Sequence, residues 1–176
     1  NFPQFGFFAN PNLKPETSLG YDFGFEQTVL DKRAQFGATY FHNDIDNLIT
    51  INDTGTTFEN VGHATTYGVE SFVSYKPWDP LTLRADYTYT VAKDDVLDRA
   101  LIRRPKHKAS FNAAWQVTKK LSLSATLLYV GPWSDVNRAG TAIGLKTPGY
   151  ALVNLAGSYD LTHWLTAFAR VNNLLD

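Results

Sequence analysis

The chain alternates apolar and polar residues with a period of two over most of its length. Eight segments carry the pattern, near 17–29, 33–43, 65–76, 81–92, 108–117, 121–130, 150–161 and 165–172. In the first, Leu19, Tyr21, Phe23 and Phe25 share one parity; in the fourth, Leu81, Leu83, Ala85, Tyr87, Tyr89 and Val91 do; in the fifth, Ala109, Phe111, Ala113, Trp115 and Val117. The opposite parity holds Asp22, Glu26, Arg33, Glu70, Lys76, Arg84, Asp86, Lys108, Asp160 and Arg170, set among Gly, Ser, Thr, Asn and Gln. Successive strand residues face opposite sides of a sheet. The pattern therefore predicts an all-β, antiparallel meander with one apolar and one polar face. Alternating segments of about ten residues match the signature of a transmembrane strand.

Alternation does not say which face is inside, because a soluble barrel with an apolar interior has the same period. Two features favour a membrane. Connections alternate between short (31–32, 77–80, 118–120, 162–164) and long (44–64, 93–107, 131–149). Short turns at one rim and long loops at the other are the outer-membrane pattern. The second feature is that Tyr40, Tyr67, Tyr75, Trp78, Tyr87, Tyr89, Trp115, Tyr129, Trp133, Tyr159 and Trp164 fall toward segment ends, where amphipathic rings suit the membrane–water interface.

Composition narrows the chemistry. With no Cys among 176 residues, disulfides, zinc-thiolate sites and thiol nucleophiles are excluded. The balance of 16 basic and 17 acidic residues gives no footprint for nucleic acid. No run approaches the length of a transmembrane helix. No Ser-His-Asp arrangement is suggested by spacing, so no catalytic residue and no cofactor is assigned. His42, His63, His107 and His163 lie near segment ends without metal-ligand spacing, and no metal site is expected. Asp44, Asp46 and Asp53, like Asp94, Asp95 and Asp98, read as solvated loop carboxylates, with oxygen ligation of calcium the alternative. Arg84 and Asp86 stand two apart on one strand and face the same way, with Glu70 on the neighbouring strand. Arg103, Arg104, Lys106 and Lys108 form a basic run in the second long loop, able to grip an anionic ligand or the phosphates of lipopolysaccharide. The third long loop offers Trp133, Asp135, Asn137 and Arg138.

Three motifs give the pattern a relative. Asn10-Pro11-Asn12-Leu13-Lys14-Pro15-Glu16 opens the first segment; Phe58-Glu59-Asn60-Val61-Gly62 leads to Tyr67-Gly68-Val69-Glu70; and Arg170-Val171-Asn172-Asn173-Leu174-Leu175-Asp176 closes the chain. In this order they resemble the NPxLxPE and ENLFD-type elements of TonB-dependent outer-membrane receptors. The resemblance implies a plugged, 22-stranded barrel. Residues 1–176 would then be a C-terminal part of its wall, strands 14 to 21, with the plug, the TonB-engaging motif and the final strand outside it. An open arc is expected, since the charged face reads as the wall of a wide, wet lumen. The resemblance further implies outer-membrane lipid and lipopolysaccharide as surroundings and TonB as partner through the plug region. Glu70, Arg84 and Asp86 would face that plug. The stretch Leu101-Ile102-Arg103-Arg104-Pro105-Lys106 looks most like the vitamin B12 receptor subgroup. It points to Arg103 first and Asn137 second as ligand contacts, with Arg104, Trp133 and Arg138 beside them. The expected ligand is cobalamin or, as close competitor, a ferric siderophore. A self-contained small barrel serving as anchor or surface-binding protein is the alternative from another class.

Overall fold

The computed structural model describes residues 6–136 and 143–174. Eleven strands are present: β1 (Thr17–Val29), β2 (Ala34–Ile51), β3 (Phe58–Trp78), β4 (Leu81–Asp94), β5 (Arg99–Ala100), β6 (His107–Gln116), β7 (Leu121–Val130), β8 (Trp133–Val136), β9 (Ile143–Thr147), β10 (Tyr150–Asp160) and β11 (Thr166–Val171). Eight form one antiparallel meander in the order β1-β2-β3-β4-β6-β7-β10-β11, with β5 added beside β4; β8 and β9 form a separate hairpin. The eight wall strands are the eight segments of the alternation. The three short strands lie in stretches read from sequence as long loops.

Register carries the two-faced pattern across the whole sheet. One row runs Phe36–Val73–Ala85–Phe111–Leu127–Val153 and another Ala34–Tyr75–Leu83–Ala113–Ala125–Leu155–Val171. A row on the other face runs Thr28–Gln35–Ser74–Arg84–Asn112–Thr126–Asn154. A one-residue slip in any pair would move that strand's apolar set to the polar face, so the greasy face fixes the register. The apolar face is uncovered by protein: Phe23 is 69% exposed, and Phe111, Leu123 and Leu127 are each more than two-fifths exposed. An apolar surface of this extent calls for a cover, hydrocarbon or another apolar surface.

Close approaches on the polar face explain two glycines. Gly68 lies opposite both Phe41 and Thr90; a Cβ there would meet Phe41 Cζ at 2.8 Å and run into Tyr89 O. Gly37 faces Phe72 in the same way, with Phe72 Cε1 at 2.9 Å from a would-be Cβ. Rings laid over glycines fill the gap that a missing side chain leaves in a sheet.

The short turns are tight. Leu30, Asp31 and Lys32 all adopt left-handed backbone, with φ of 55°, 50° and 68°, closed by Arg33 N donating to Leu30 O at 2.9 Å. At the β6–β7 turn, Thr118 Oγ1 accepts from Lys120 N and Leu121 N at 3.1 and 3.0 Å. Among the described residues β1 pairs only with β2 and β11 only with β10, so the sheet is an open arc. Residues Thr17–Val29 and Thr166–Val171 are exposed throughout.

The sequence pattern ends β2 at 43 and starts β3 at 65, but the strands run on to Ile51 and from Phe58. Beyond the apolar band Asp44, Asp46 and His63 take the parity that is apolar lower down, while Val61 and Ala64 are buried in the rim. The period-two contrast therefore disappears although the backbone pairing continues, with Asp46 opposite His63 and Ile51 opposite Phe58.

Candidate functional site: the long-loop rim

Aromatic rows mark the two edges of the apolar face. Tyr75, Trp78, Trp115 and Tyr159 lie toward the short turns; Tyr21, Tyr40, Tyr67, Tyr89 and Tyr129 lie toward the long connections. From Tyr67 to Tyr75 the strand is roughly 26 Å long at about 3.3 Å per residue; at a tilt of about 40° it spans roughly 20 Å of height, within the roughly 25 Å apolar band of an outer-membrane barrel. Everything above the Tyr67 row forms a rim.

The rim holds most of the chain's packed core. Val61, Ala64, Ala92 and Leu101 are buried there, with Ile45 and Leu48 against them. Asp94 is 2% exposed. Its carboxylate accepts from Val96 N and Leu97 N, each at 3.0 Å, and meets Arg99 Nε at 3.5 Å. Arg99 reaches on to Asp53 at 2.8 Å in the β2–β3 hairpin tip. Hydrogen bonding to Asp53 holds the Arg99 pKa above its ordinary value. Lys93 and Asp98 pair at 2.6 Å; that contact raises the lysine pKa and lowers the aspartate's. His63 Nδ1 sits 3.0 Å from Asp46, with Asp44 and Asp95 near its other nitrogen. The hydrogen bond to Asp46 is the main cause of its raised pKa, reinforced by the charges of Asp46, Asp95 and Asp44.

Two of the sequence motifs meet here. Asn60 Oδ1 accepts from Lys14 N at 2.8 Å while its Nδ2 donates to Lys14 O at 3.0 Å and to Asn47 O at 2.6 Å. Asn10 Nδ2 donates to Phe58 O at 3.0 Å, and Glu16 Oε1 accepts from Ile49 N. Sequence reading treated these as family markers; they are one interlocked unit that pins the chain ahead of β1 to the β2–β3 ribbon.

The basic run divides. Arg103 has left-handed backbone, φ 56°. Its amide donates to Ser134 O at 2.8 Å and its Nε to Asp135 Oδ1 at 2.9 Å, so it docks the β8–β9 hairpin onto the β5–β6 connection. Among the described residues Arg104 makes only a 3.4 Å bond to Arg103 O. Arg104 and Lys106 border a cavity of about 410 Å³ together with Trp133, Ser134 and Lys146. Trp133 stands edge-on to Tyr150, with ring centroids 6.2 Å apart and planes at 83°. Asn137 and Arg138 lie outside the described residues. Lys146 was missed in the sequence, where nothing ties it to the basic run some forty positions earlier.

On the polar face, Arg84 grips Asp86 through Nη2 at 2.6 Å and Nε at 2.9 Å. Its guanidinium lies 4.6 Å from the Phe72 ring centre, and Ser110 Oγ donates to Asp86 at 3.3 Å. Glu70 does not join them: register sets it opposite Thr39 and Thr88, and it is exposed. Among the described residues no group of three or more His, Asp or Glu side chains is arranged to hold a metal ion.

Comparison with known proteins places this architecture. Residues 1–174 match the family described as TonB dependent receptor-like, beta-barrel. Among solved structures, a mutant of the ferric enterobactin receptor from Pseudomonas aeruginosa matches with TM-score 0.77 and 27% identity, over 96% of this chain and 27% of that one. The ferric-catecholate import receptor from E. coli K12 matches with TM-score 0.72 and 25% identity, over 95% and 24%. A copper transporter, OprC, matches with TM-score 0.75 and 24% identity, over 93% and 26%, and shares the fold. The chain thus spans about a quarter of the length of the receptors it matches.

Proposed function

The chain belongs to the TonB-dependent receptor family, as a stretch of its outer-membrane β-barrel, and from that premise we propose that it forms part of the wall of a receptor for energy-coupled uptake of a scarce nutrient. The family's matched members are receptors and transporters, not enzymes. One observation carries the proposal: an open sheet with a bare apolar outer face and a cation-bearing rim above it. Lipid covers the outer face, and the two open edges pair with further strands of the same barrel, because unpaired backbone is not tolerated in hydrocarbon. A self-contained small barrel would need β1 to pair with β11, and their separation speaks against it.

In this reading residues 1–176 are a C-terminal portion of a 22-stranded wall. Glu70, Arg84 and Asp86 face a plug, whose movement by TonB opens the path. The ligand touches the rim: Arg104 and Trp133 directly, Arg103 as the residue that fixes them, and Asn137 and Arg138 from the β8–β9 connection. A ferric siderophore is favoured by the cation-rich cavity and by the siderophore receptors among the matches. Cobalamin is the second reading, favoured by the 101–106 stretch. The test is uptake of labelled ferric siderophores and cobalamin by cells with and without the full-length receptor, and with and without TonB. We expect uptake of one ligand to need both. Uptake of every ligand unchanged by loss of either would overturn the proposal.

A further inference from the structure

The apolar face carries opposite charge at its two edges. At the long-connection edge, Asp44, Asp46 and Asp95 gather around His63, with Lys93 4.0 Å from Asp95. At the other edge the short turns hold Lys32, Arg33, Lys119 and Lys120 against Asp31 and Asp79. Arg33 is engaged within the protein: its Nη1 donates to Pro77 O at 3.2 Å and its Nη2 lies 3.7 Å from Asp79. Lys32, Lys119 and Lys120 have no carboxylate partner among the described residues.

Backbone hydrogen bonds join these turns into one band. Lys76 N donates to Arg33 O at 2.7 Å, Gln116 N to Pro80 O at 2.7 Å, and Asp160 N to Lys120 O at 2.9 Å, so each short turn is tied to the next. Asp160 follows Lys120 in this band, but its side chain is on the polar parity, where it accepts from Thr166 Oγ1 at 2.7 Å. The lysines do not hold their own turn together. Thr118 Oγ1 accepts from Lys120 N and Leu121 N, so the backbone turns without either ammonium group. Trp78, Trp115 and Trp164 are exposed in or next to the same band. Indole rings settle where hydrocarbon gives way to headgroups, which sets the lysines at headgroup depth. Lysine stems can lie along an apolar edge while the ammonium groups reach polar oxygens.

We infer that the short-turn rim is a binding surface for the headgroups of anionic phospholipids in the leaflet on that side, with Lys119 and Lys120 donating to phosphate oxygens and Lys32 continuing the positive band two turns away. Ammonium groups bind phosphate as point charges, and an anionic leaflet attracts such clusters residue by residue. A zwitterionic headgroup brings an ammonium of its own and gains less. The carboxylates at the opposite edge offer an anionic headgroup no such contact.

The inference rests on the apolar face meeting lipid, and not on which nutrient is taken up. The test uses the full-length receptor, cleared of other cysteines, with a bimane fluorophore on Val117→Cys, on the apolar parity beside the turn. It is reconstituted in bilayers containing a small fraction of nitroxide-labelled phosphatidylglycerol or nitroxide-labelled phosphatidylcholine. We expect phosphatidylglycerol to quench more, its local affinity exceeding that of phosphatidylcholine at least about threefold, and the gap to narrow as salt rises. Lys119→Gln/Lys120→Gln should bring the two lipids to parity, and Lys119→Arg/Lys120→Arg should keep the gap. Lys93→Gln, at the far edge, should leave it unchanged. Equal quenching by the two lipids in the labelled parent, or a gap that survives the glutamine pair, would overturn the headgroup site while leaving the wall in lipid; the cations would then be available to an acidic protein on that side. Quenching by neither lipid would sink the lipid-facing wall itself. Heat-modified gel mobility of each variant separates lost binding from lost folding.

Discussion

The wall and the rim are built from the same strands by different physics. In the wall, large apolar side chains such as Phe23, Phe111 and Leu127 stand exposed, and among the described wall residues Val130 is the one apolar side chain buried within protein. In the rim, Val61, Ala64, Ala92 and Leu101 pack together, a buried carboxylate is satisfied by two amides and an arginine, and ion pairs join separate loops. Strand β3 passes through both regions without a break. The difference lies in the solvent. Hydrocarbon accepts apolar side chains but leaves backbone groups no partner outside the ladder. Water accepts the backbone but rewards packing of apolar groups. Each region is stabilised by what its surroundings do not supply.

The comparison can be broken most severely from the wall. Phe111→Arg puts a charge near the middle of the apolar face, and we expect a loss of about 2–4 kcal/mol in urea unfolding of the lipid-embedded full-length receptor. Its neighbour Asn112→Arg, on the polar face, should change stability little. Equal effects at both positions would mean that the faces are not in different solvents.

The rim breaks differently. Asp94→Ala leaves Arg99 and two amides short of a partner, at roughly 1–3 kcal/mol. The loss should appear as faster hydrogen exchange and protease cutting of residues 52–57 and 95–103, with wall protection unchanged. A smaller effect, about 1–2 kcal/mol from three lost hydrogen bonds, is expected for Asn60→Ala. It should free the segment 10–16 to exchange while the β2–β3 ladder persists.

The smallest effect is a pH dependence confined to the rim. The folded-state pKa of His63 is raised above 6.5 by Asp46 and its neighbours Asp95 and Asp44. The contribution of its charged form is therefore complete below about pH 6.5 and fades as pH rises through the folded pKa. Rim protection factors, corrected for the intrinsic base-catalysed exchange rate, should fall over that alkaline window and stay flat in His63→Gln; a fall on acidification would have the wrong sign.

These effects follow the line between what the sequence disclosed and what it hid. The wall was legible because lipid on one side and water on the other force a strict parity, from Leu19 to Val171. The extension of β2 and β3 was hidden because Asp44, Asp46 and His63 occupy the parity that is apolar further down. The hairpin β8–β9 and the two-residue β5 are too short for any period to register. The 101–106 stretch points to Arg103 through its family resemblance, but a run of basic residues does not show partners, and the carboxylate that Arg103 pairs with, Asp135, lies 32 positions away. Arg84 and Asp86 were correctly seen as facing the same way, since spacing of two fixes that. Glu70 was grouped with them, and its distance from the pair depends on register, which no single strand reveals.

The central claim is that the apolar parity faces lipid and the polar parity a wet lumen. The chain has no Cys, so single cysteines at successive positions 108–116 of the full-length receptor can carry nitroxide labels, with relaxation by oxygen and by a water-soluble nickel chelate measured in bilayers. The account predicts a period of two, with labels at 109, 111, 113 and 115 relaxed by oxygen and those at 108, 110, 112, 114 and 116 by nickel. The same period in opposite phase, with the apolar parity shielded from oxygen and the polar parity facing lipid, would contradict it.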